Sequence, residues 1–375
     1  MNLELNLIKD KRVFIEFIKK EIVLIIAMIL AIGTSFISLP KIEYIDFKVI
    51  ILLFNLMILV AGFNDLKVLD SIATSLLKRC TSLKSLTYMM VFLTFFSAMI
   101  VTNDVALITF VPLTLIIGKK ANINILKAVI FQTLAANLGS ALTPMGNPQN
   151  LFIYSYFNIN ILEFLKITLP LVLLSVIFLI FIIFREKRES ISFKVEKIKI
   201  ENKRGIIIYS VLFFITLLSV FHLIDYRISF VITIIVIISF NKNLFKKVDY
   251  SLLITFVAFF IFIGNISSMS EIKEFMINIL SSEKSTFISS IISSQFISNV
   301  PATMLISAFT PYYKGLLLGV NIGGLGTIIA SLASVISYKL YLNEYPSNGG
   351  NYIKKFTLYN ILGLVIIVFI LYFFI

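Results

Sequence analysis

The chain has 375 residues, 59% of them hydrophobic and only 14% charged, with a mean hydropathy of +0.99. A soluble chain carries about a quarter charged residues, so a water-soluble enzyme or binding module is excluded; several apolar runs here are long enough to cross a hydrocarbon core about 30 Å thick. The net charge of +13 lies in short clusters between those runs, which orients a membrane protein rather than gripping nucleic acid.

In chain order, the run from Ile22 to Leu39 follows basic residues but has no small-x-small cleavage site before Pro40, so it reads as a retained span. Full spans are expected at 22–39, 47–63, 123–143, 165–184, 205–222, 226–240, 249–267, 312–342 and 356–374. Residues 85–118 are interrupted by Thr102-Asn103-Asp104 and residues 284–310 by Ser298-Asn299-Val300-Pro301. Both are expected to be re-entrant hairpins, because irregular backbone at membrane depth survives only inside protein or against a wet cavity. Residues 66–80 and 271–281 are amphipathic and too short to span, so each is expected as an interfacial helix leading into a hairpin.

Charge checks this topology. With both hairpins re-entrant, 26 of the 33 Lys and Arg fall on one side. Only Lys41, Lys48, Lys166, Arg227, Lys273, Lys284 and Lys314 fall on the other. The positive-inside rule then places the N-terminus in the cytoplasm and the C-terminus outside. The one long polar stretch, 185–204, holds eight basic and four acidic residues and reads as a cytoplasmic linker. Cys80 is alone, so no internal disulfide forms, and His222 is the only histidine, so no His/Cys metal cluster forms.

The two sides of the linker repeat each other. Ala136-Asn137-Leu138-Gly139-Ser140-Ala141-Leu142-Thr143 aligns with Val320-Asn321-Ile322-Gly323-Gly324-Leu325-Gly326-Thr327, and Thr102-Asn103 with Ser298-Asn299. The expected fold is therefore an all-α polytopic membrane protein of two inverted repeats. The first covers 1–184, with scaffold helices 22–63, hairpin 85–118, broken helix 123–157 and helix 165–184. The second covers 205–375, with scaffold helices 205–267, hairpin 284–310, broken helix 312–342 and helix 356–374. Such repeats place a transport site near the bilayer midplane.

The chemistry of the interruptions suits a solute. A broken helix exposes N–H groups at one end and carbonyls at the other; the former favour anions and the latter cations. Asn, Ser and Thr add neutral donors and acceptors, and Gly146-Asn147-Pro148-Gln149-Asn150 extends the first break with further amides. The expected substrate- and ion-binding residues are Thr102, Asn103, Asp104, Asn137, Gly139, Thr143, Gly146, Asn147, Ser298, Asn299, Asn321, Gly323, Gly324 and Thr327. A Na⁺ site is expected near Asn103, Asp104, Asn137, Asn299 and Asn321. Asp104 is the one acidic residue placed well inside the membrane, where an uncompensated charge is costly and points to function. It is a candidate for Na⁺ coordination or proton shuttling, and also for capping the second hairpin arm.

The segments Thr102-Asn103-Asp104-Val105-Ala106-Leu107, Asn137-Leu138-Gly139, Thr143-Pro144 with Gly146-Asn147-Pro148-Gln149-Asn150, Ser298-Asn299-Val300-Pro301-Ala302 and Asn321-Ile322-Gly323-Gly324 resemble the ion transporter superfamily. That group includes divalent anion–sodium symporters, citrate permeases, arsenite efflux permeases and some sodium/proton antiporters. The nearest likeness is to its arsenite-permease-like and uncharacterised anion-permease branch. The resemblance implies an elevator mechanism, with hairpins and broken helices sliding against a scaffold that often dimerises. It also implies that Asn103, Asn137, Asn299 and Asn321 frame the cation and substrate sites. Where carboxylate symporters typically carry Ser-Asn-Thr at both tips, this chain has Thr-Asn-Asp and Ser-Asn-Val.

The expected function is secondary active transport of a small anion or oxyanion, coupled to Na⁺ or H⁺, in a bacterial plasma membrane. A sodium/proton antiporter is the alternative, a channel or passive facilitator a lesser one. An enzyme is disfavoured, since no His pair, nucleophile–base set or carboxylate pair falls at membrane depth. No cofactor is expected beyond the coupling ion. The expected partners are the anionic solute, membrane lipid and a second copy of the chain.

Overall fold

The computed structural model of the protein describes residues 21–78, 80–186, 188–191, 198–200 and 202–375. The basic stretch 1–20 and parts of the 185–204 linker, both expected in the cytoplasm, lie outside the described residues. Those described form seventeen α-helices and no strand. Seven helical segments are long and apolar enough to cross a membrane: Phe47–Asp65, Leu83–Val101, Ile161–Phe184, Lys203–Val220, Tyr226–Lys247, Tyr250–Ser267 and Pro346–Leu371. The chain is thus a polytopic membrane protein.

Three of the nine expected spans are not long continuous helices. The first, α1 (Ile22–Ser35), stops after 14 residues. Thr34 and Ser35 turn their hydroxyls back onto Leu30 O and Ala31 O, 2.8 and 2.7 Å away, a pattern that weakens a helix. The segment 123–143 ends as an α-helix at Gly139, and 312–342 is broken near its middle after Gly323.

Five helices form a frame: α1, α2 (Phe47–Asp65), and, after the short helix α3 (Val68–Leu77) and those below, α9 (Lys203–Val220), α10 (Tyr226–Asn241) and α11 (Tyr250–Ser267). α2 and α11 start alike. Asp46 caps Val49 N at 3.1 Å and Asp249 caps Leu252 N at 3.0 Å, each satisfying a donor that the first turn leaves open. α1 packs on α11, and α2 on α9 and α10. The amide of Asn55 reaches Ser229, and Asn265 reaches Thr34 and Ser35.

The remaining long elements form a bundle: α4 (Leu83–Val101), α5 (Asn103–Ala121), α6 (Leu126–Gly139), α7 (Pro148–Tyr156) and α8 (Ile161–Phe184), then, past the short helix α12 (Ser270–Ile279), α13 (Glu283–Ile297), α14 (Asn299–Ser307), α15 (Tyr313–Gly323), α16 (Leu332–Glu344) and α17 (Gly349–Leu371). α4 and α5 form a hairpin: Lys84, at the start of one, donates to Phe184 O, and Lys127, just past the end of the other, pairs with Glu186, so the two ends lie at the same level. Ion pairs gather at that level: Lys127–Glu186 at 2.7 Å, Lys119–Glu344 and Lys247–Asp65. The opposite level holds the Tyr313 hydroxyl on Glu163 (2.6 Å), Glu283 on Gly315 N (2.6 Å), and the His222 turn.

Frame and bundle meet without polar ties. Among the described residues from Ile22 onward, every hydrogen bond and ion pair of these two groups stays within one group or runs to a connecting segment. The junction is apolar and aromatic, with α2 against α7 and α11 against α14. Phe152 of α7, for example, packs on Phe256 and Phe260 of α11 at ring-centroid distances of 6.5 and 5.8 Å.

Candidate solute site

Both hairpins are built by the same local rules. Each opens on a reciprocal serine cap. Ser82 and Ser85 satisfy one another's backbone N–H at 3.2 and 3.1 Å, and Ser282 and Ser285 do so at 3.1 and 3.0 Å. Each then reverses at a single non-glycine residue, Thr102 at φ 78°, ψ 154° and Ser298 at φ 70°, ψ 156°. That region is close to glycine-only, and holding another residue there costs on the order of 1–3 kcal/mol. Neither side chain caps the following helix. The first turn of α14 therefore begins without a side-chain cap, whereas in α5 the Asp104 N–H is met by Asn103 Oδ1.

The breaks are also alike. α6 ends at Gly139 and resumes as α7 after two 3₁₀ turns, Ser140–Leu142 and Pro144–Gly146. α15 ends at Gly323 and resumes as α16 after the 3₁₀ turn Ile328–Ala330. The glycines are required by space. A Cβ on Gly139 would lie 2.2 Å from Phe95 O, one on Gly146 2.1 Å from Ser140 O, and one on Gly323 2.7 Å from Ser294 Oγ. Thr143 donates to Met99 O and Thr327 to Gln295 O, each carbonyl three residues before its hairpin tip.

At the centre the two breaks exchange partners. Asn137 Oδ1 accepts from Ser331 Oγ at 3.0 Å, and its Nδ2 donates to Ser334 Oγ at 3.1 Å. Asn321 Oδ1 accepts from Asn147 Nδ2 at 3.1 Å, and its Nδ2 donates to Asn150 Oδ1 at 2.7 Å. The sequence offset that aligns Asn137 with Asn321 also aligns Asn147 with Ser331 and Asn150 with Ser334. Each α-helix end thus bonds to the start of the resuming helix of the other break. Asn103 Nδ2 joins this web through Asn137 Oδ1 at 3.1 Å, while its own Oδ1 accepts from Asp104 N at 3.0 Å.

The expected site residues divide in this geometry. Asn103, Asn137, Asn147, Asn321 and the Gly324 carbonyl belong to the web. Ser298 Oγ lies 3.4 Å from Ala330 O, and Asn299, 5% exposed, sits with its amide nitrogen beside Gly324. Thr143 and Thr327 spend their hydroxyls tying a break to a hairpin, and Thr327 is exposed. Gly139, Gly146 and Gly323 act through close approach alone. Asn150, among the amides that extend the first break, and Ser331, Ser334 and Gln295, which the sequence did not single out, also join these bonds. Gln295 bridges Gly323 O, Leu325 O and Thr327 N at 2.8–3.0 Å.

A cavity of about 330 Å³ lies between frame and bundle. From the bundle it is lined by Thr102, Asp104, Met145 and Asn147, and from the frame by Asp65, Lys247 and Asp249 among others. The Thr102 hydroxyl donates to the Asp104 carboxylate. The amide oxygens of Asn103, Asn137 and Asn321 all accept protein hydrogen bonds in this conformation, so at the cavity's bundle wall Asp104 is the group with charge to offer a cation. No cluster of three or more His, Cys, Asp or Glu suited to a metal ion occurs among the described residues.

Residues 12–316 match the citrate transporter family. The chain belongs to that family. An uncharacterized transporter of Methanocaldococcus jannaschii is 34% identical over 356 residues, 93% of each chain. The inner membrane protein YbiR of Escherichia coli K12 is 29% identical over 301 residues, covering 79% of this chain and 80% of its own. A transporter of Dictyostelium discoideum named arsB is 26% identical over 132 residues, 35% of this chain and 23% of that one. The family and these relatives carry the names of transporters or membrane proteins, and this member of the citrate transporter family is a transmembrane transporter.

Proposed function

We propose that the protein is a secondary active transporter of a small anion or oxyanion, a carboxylate or arsenite-like solute, coupled to Na⁺ or H⁺ at Asp104. The carrying observation is the cavity between two bodies that share no hydrogen bond among the described residues, with the hairpin tip in its wall. An apolar junction slides without breaking polar contacts, each worth about 1 kcal/mol or more when broken. The equivalent tips, breaks and crossed Asn bonds support an inverted repeat, and the segregated bonding supports a bundle that moves against the frame.

Charge supports coupling. The cavity wall holds three carboxylates, Asp65, Asp104 and Asp249, and one ammonium, Lys247, already paired with Asp65. An anion entering there needs protons or cations with it, because an uncompensated charge at low dielectric is expensive. The same excess of carboxylates favours a second reading, a sodium/proton antiporter exchanging at Asp104. The positive-inside rule supports a plasma-membrane protein whose ion-paired level faces the cytoplasm, with the N-terminus inside and the C-terminus outside.

Flux assays in liposomes test this proposal with citrate, succinate, sulfate and arsenite under imposed Na⁺ and pH gradients. Uphill accumulation of one of them is the expected result. Sodium/proton exchange without any of them selects the antiporter, and flux that only equilibrates each solute refutes active transport.

A further inference from the structure

Asp104 and Asp249 face one cavity from different bodies. Asp104 begins the second arm of the first hairpin, on the bundle; Asp249 precedes α11, on the frame. Among the described residues neither pairs with a Lys or Arg. The other charged groups on the cavity wall are Asp65, from α2, and its partner Lys247. From α3, α4, α6 and α16, which pack on α5, no charged side chain lines the cavity. The Asp249 carboxylate also caps α11 by accepting from Leu252 N, so its position is fixed by the frame.

We propose that Asp249 is a positioning residue for ion exchange at Asp104: its charge holds a monovalent cation, a proton or Na⁺, on the hairpin tip in this conformation. It loses that hold when the bundle carries the tip away. The inference rests on the proposed role of Asp104 and the proposed motion. Like charges that share a low-dielectric cavity disfavour double ionisation, so one of the two carboxylates gains affinity for a cation. Asp249 is anchored by its helix cap while Asp104 travels, so the gain belongs to one end of the transport cycle. The ion comes from the water of this cavity and leaves to water on the other side. The second tip has no counterpart, since Val300 stands where the first has Asp104.

The cap makes the test clean, because Asn caps a helix about as well as Asp. Asp249→Asn therefore removes the charge and keeps the cap; Asp249→Glu keeps a charge; Asp249→Ser is a second neutral cap should the Asn variant fold poorly. The full chain is reconstituted in liposomes loaded with a pH-reporting dye, and proton movement is read from pH 5.5 to 8.5 after pulses of NaCl, KCl or sodium citrate. The neutral variants are expected to move the pH midpoint to more acidic values by roughly half a unit or more, and Asp249→Glu to restore it. If Na⁺ is the ion, the half-saturating NaCl concentration rises instead, by about threefold for the same change in free energy, and KCl gives no signal. A neutral variant with the wild-type profile, or a Glu variant that behaves like Asn, overturns the role of Asp249. An Asp104→Asn variant that keeps the wild-type pH and Na⁺ profile overturns the underlying assignment of Asp104 instead.

Discussion

The two hairpin tips have nearly the same backbone and different chemistry. Thr102 and Ser298 differ by only a few degrees in φ and ψ, and each is followed by Asn. The third position is Asp104 at one tip, on a cavity, and Val300 at the other, buried in the apolar core with Met304 and Phe256. The difference teaches that the two turns share their geometry while the charge sits at one of them alone. A carrier can reverse its access with two equivalent gates and still handle its ion at one of them.

The largest effect should come from erasing the difference. Asp104→Val makes the tips alike in chemistry, and gradient-driven flux in liposomes should vanish while the variant stays folded and monodisperse in detergent. Retained coupled flux would mean that the charge at the first tip is incidental.

Next comes the close packing that both halves share. Gly139→Ala drives a Cβ against a backbone carbonyl and should destabilise the protein by about 1–3 kcal/mol, read as a lower melting temperature. Gly33→Ala is the control, since nothing lies within 4 Å of its Cβ. Equal melting temperatures for the two variants would deny the close approach of α6 to α4.

Smaller changes sharpen the comparison at the turn itself. Thr102→Gly and Ser298→Gly both relieve a positive φ and should each stabilise by up to about 1 kcal/mol. Only Thr102→Gly removes the hydroxyl that donates to Asp104, so only it should alter ion dependence. Identical flux profiles for the two glycine variants would separate Thr102 from Asp104 chemistry.

The smallest expected effect lies at the turn between α9 and α10. Partial burial, aided by Lys48, lowers the pKa of His222, whose ring lies tilted beside Tyr154 at a centroid distance of 5.1 Å. A depressed histidine stabilises the fold while neutral, so stability is full above the unfolded-state pKa of about 6.5 and declines as pH falls below it. His222→Phe should flatten that acid limb of the melting curve by about a degree or less, because solvent screens the exposed ring.

Much of this was readable from residue order. Asn-x-Gly, Pro148 and the two hydroxyl-Asn tips announce breaks in apolar runs that have no other reason to stop. The length of α1 was misjudged, because Thr34 and Ser35 end it through back-bonding that hydropathy does not register. Ser331 and Ser334 were overlooked because serine is unremarkable in a membrane helix, and their partner Asn137 lies in the other half of the chain. Asp65, Lys247 and Asp249 fall at or just outside the ends of the expected spans. Their importance depends on which cavity they face, a property of packing that no local pattern carries.

The central claim is that frame and bundle shift as bodies, so that the tips exchange access to water. Thr102→Cys and Ser298→Cys, each in a Cys80→Ser background, can be probed with a membrane-impermeant thiol reagent applied to either side of sealed vesicles. In the conformation described here, Thr102→Cys should react from the ion-paired side and Ser298→Cys should be protected, with the pattern reversing from the opposite side when the carrier turns over. Modification of both positions from the same side, or of neither under any ion gradient, would contradict the account.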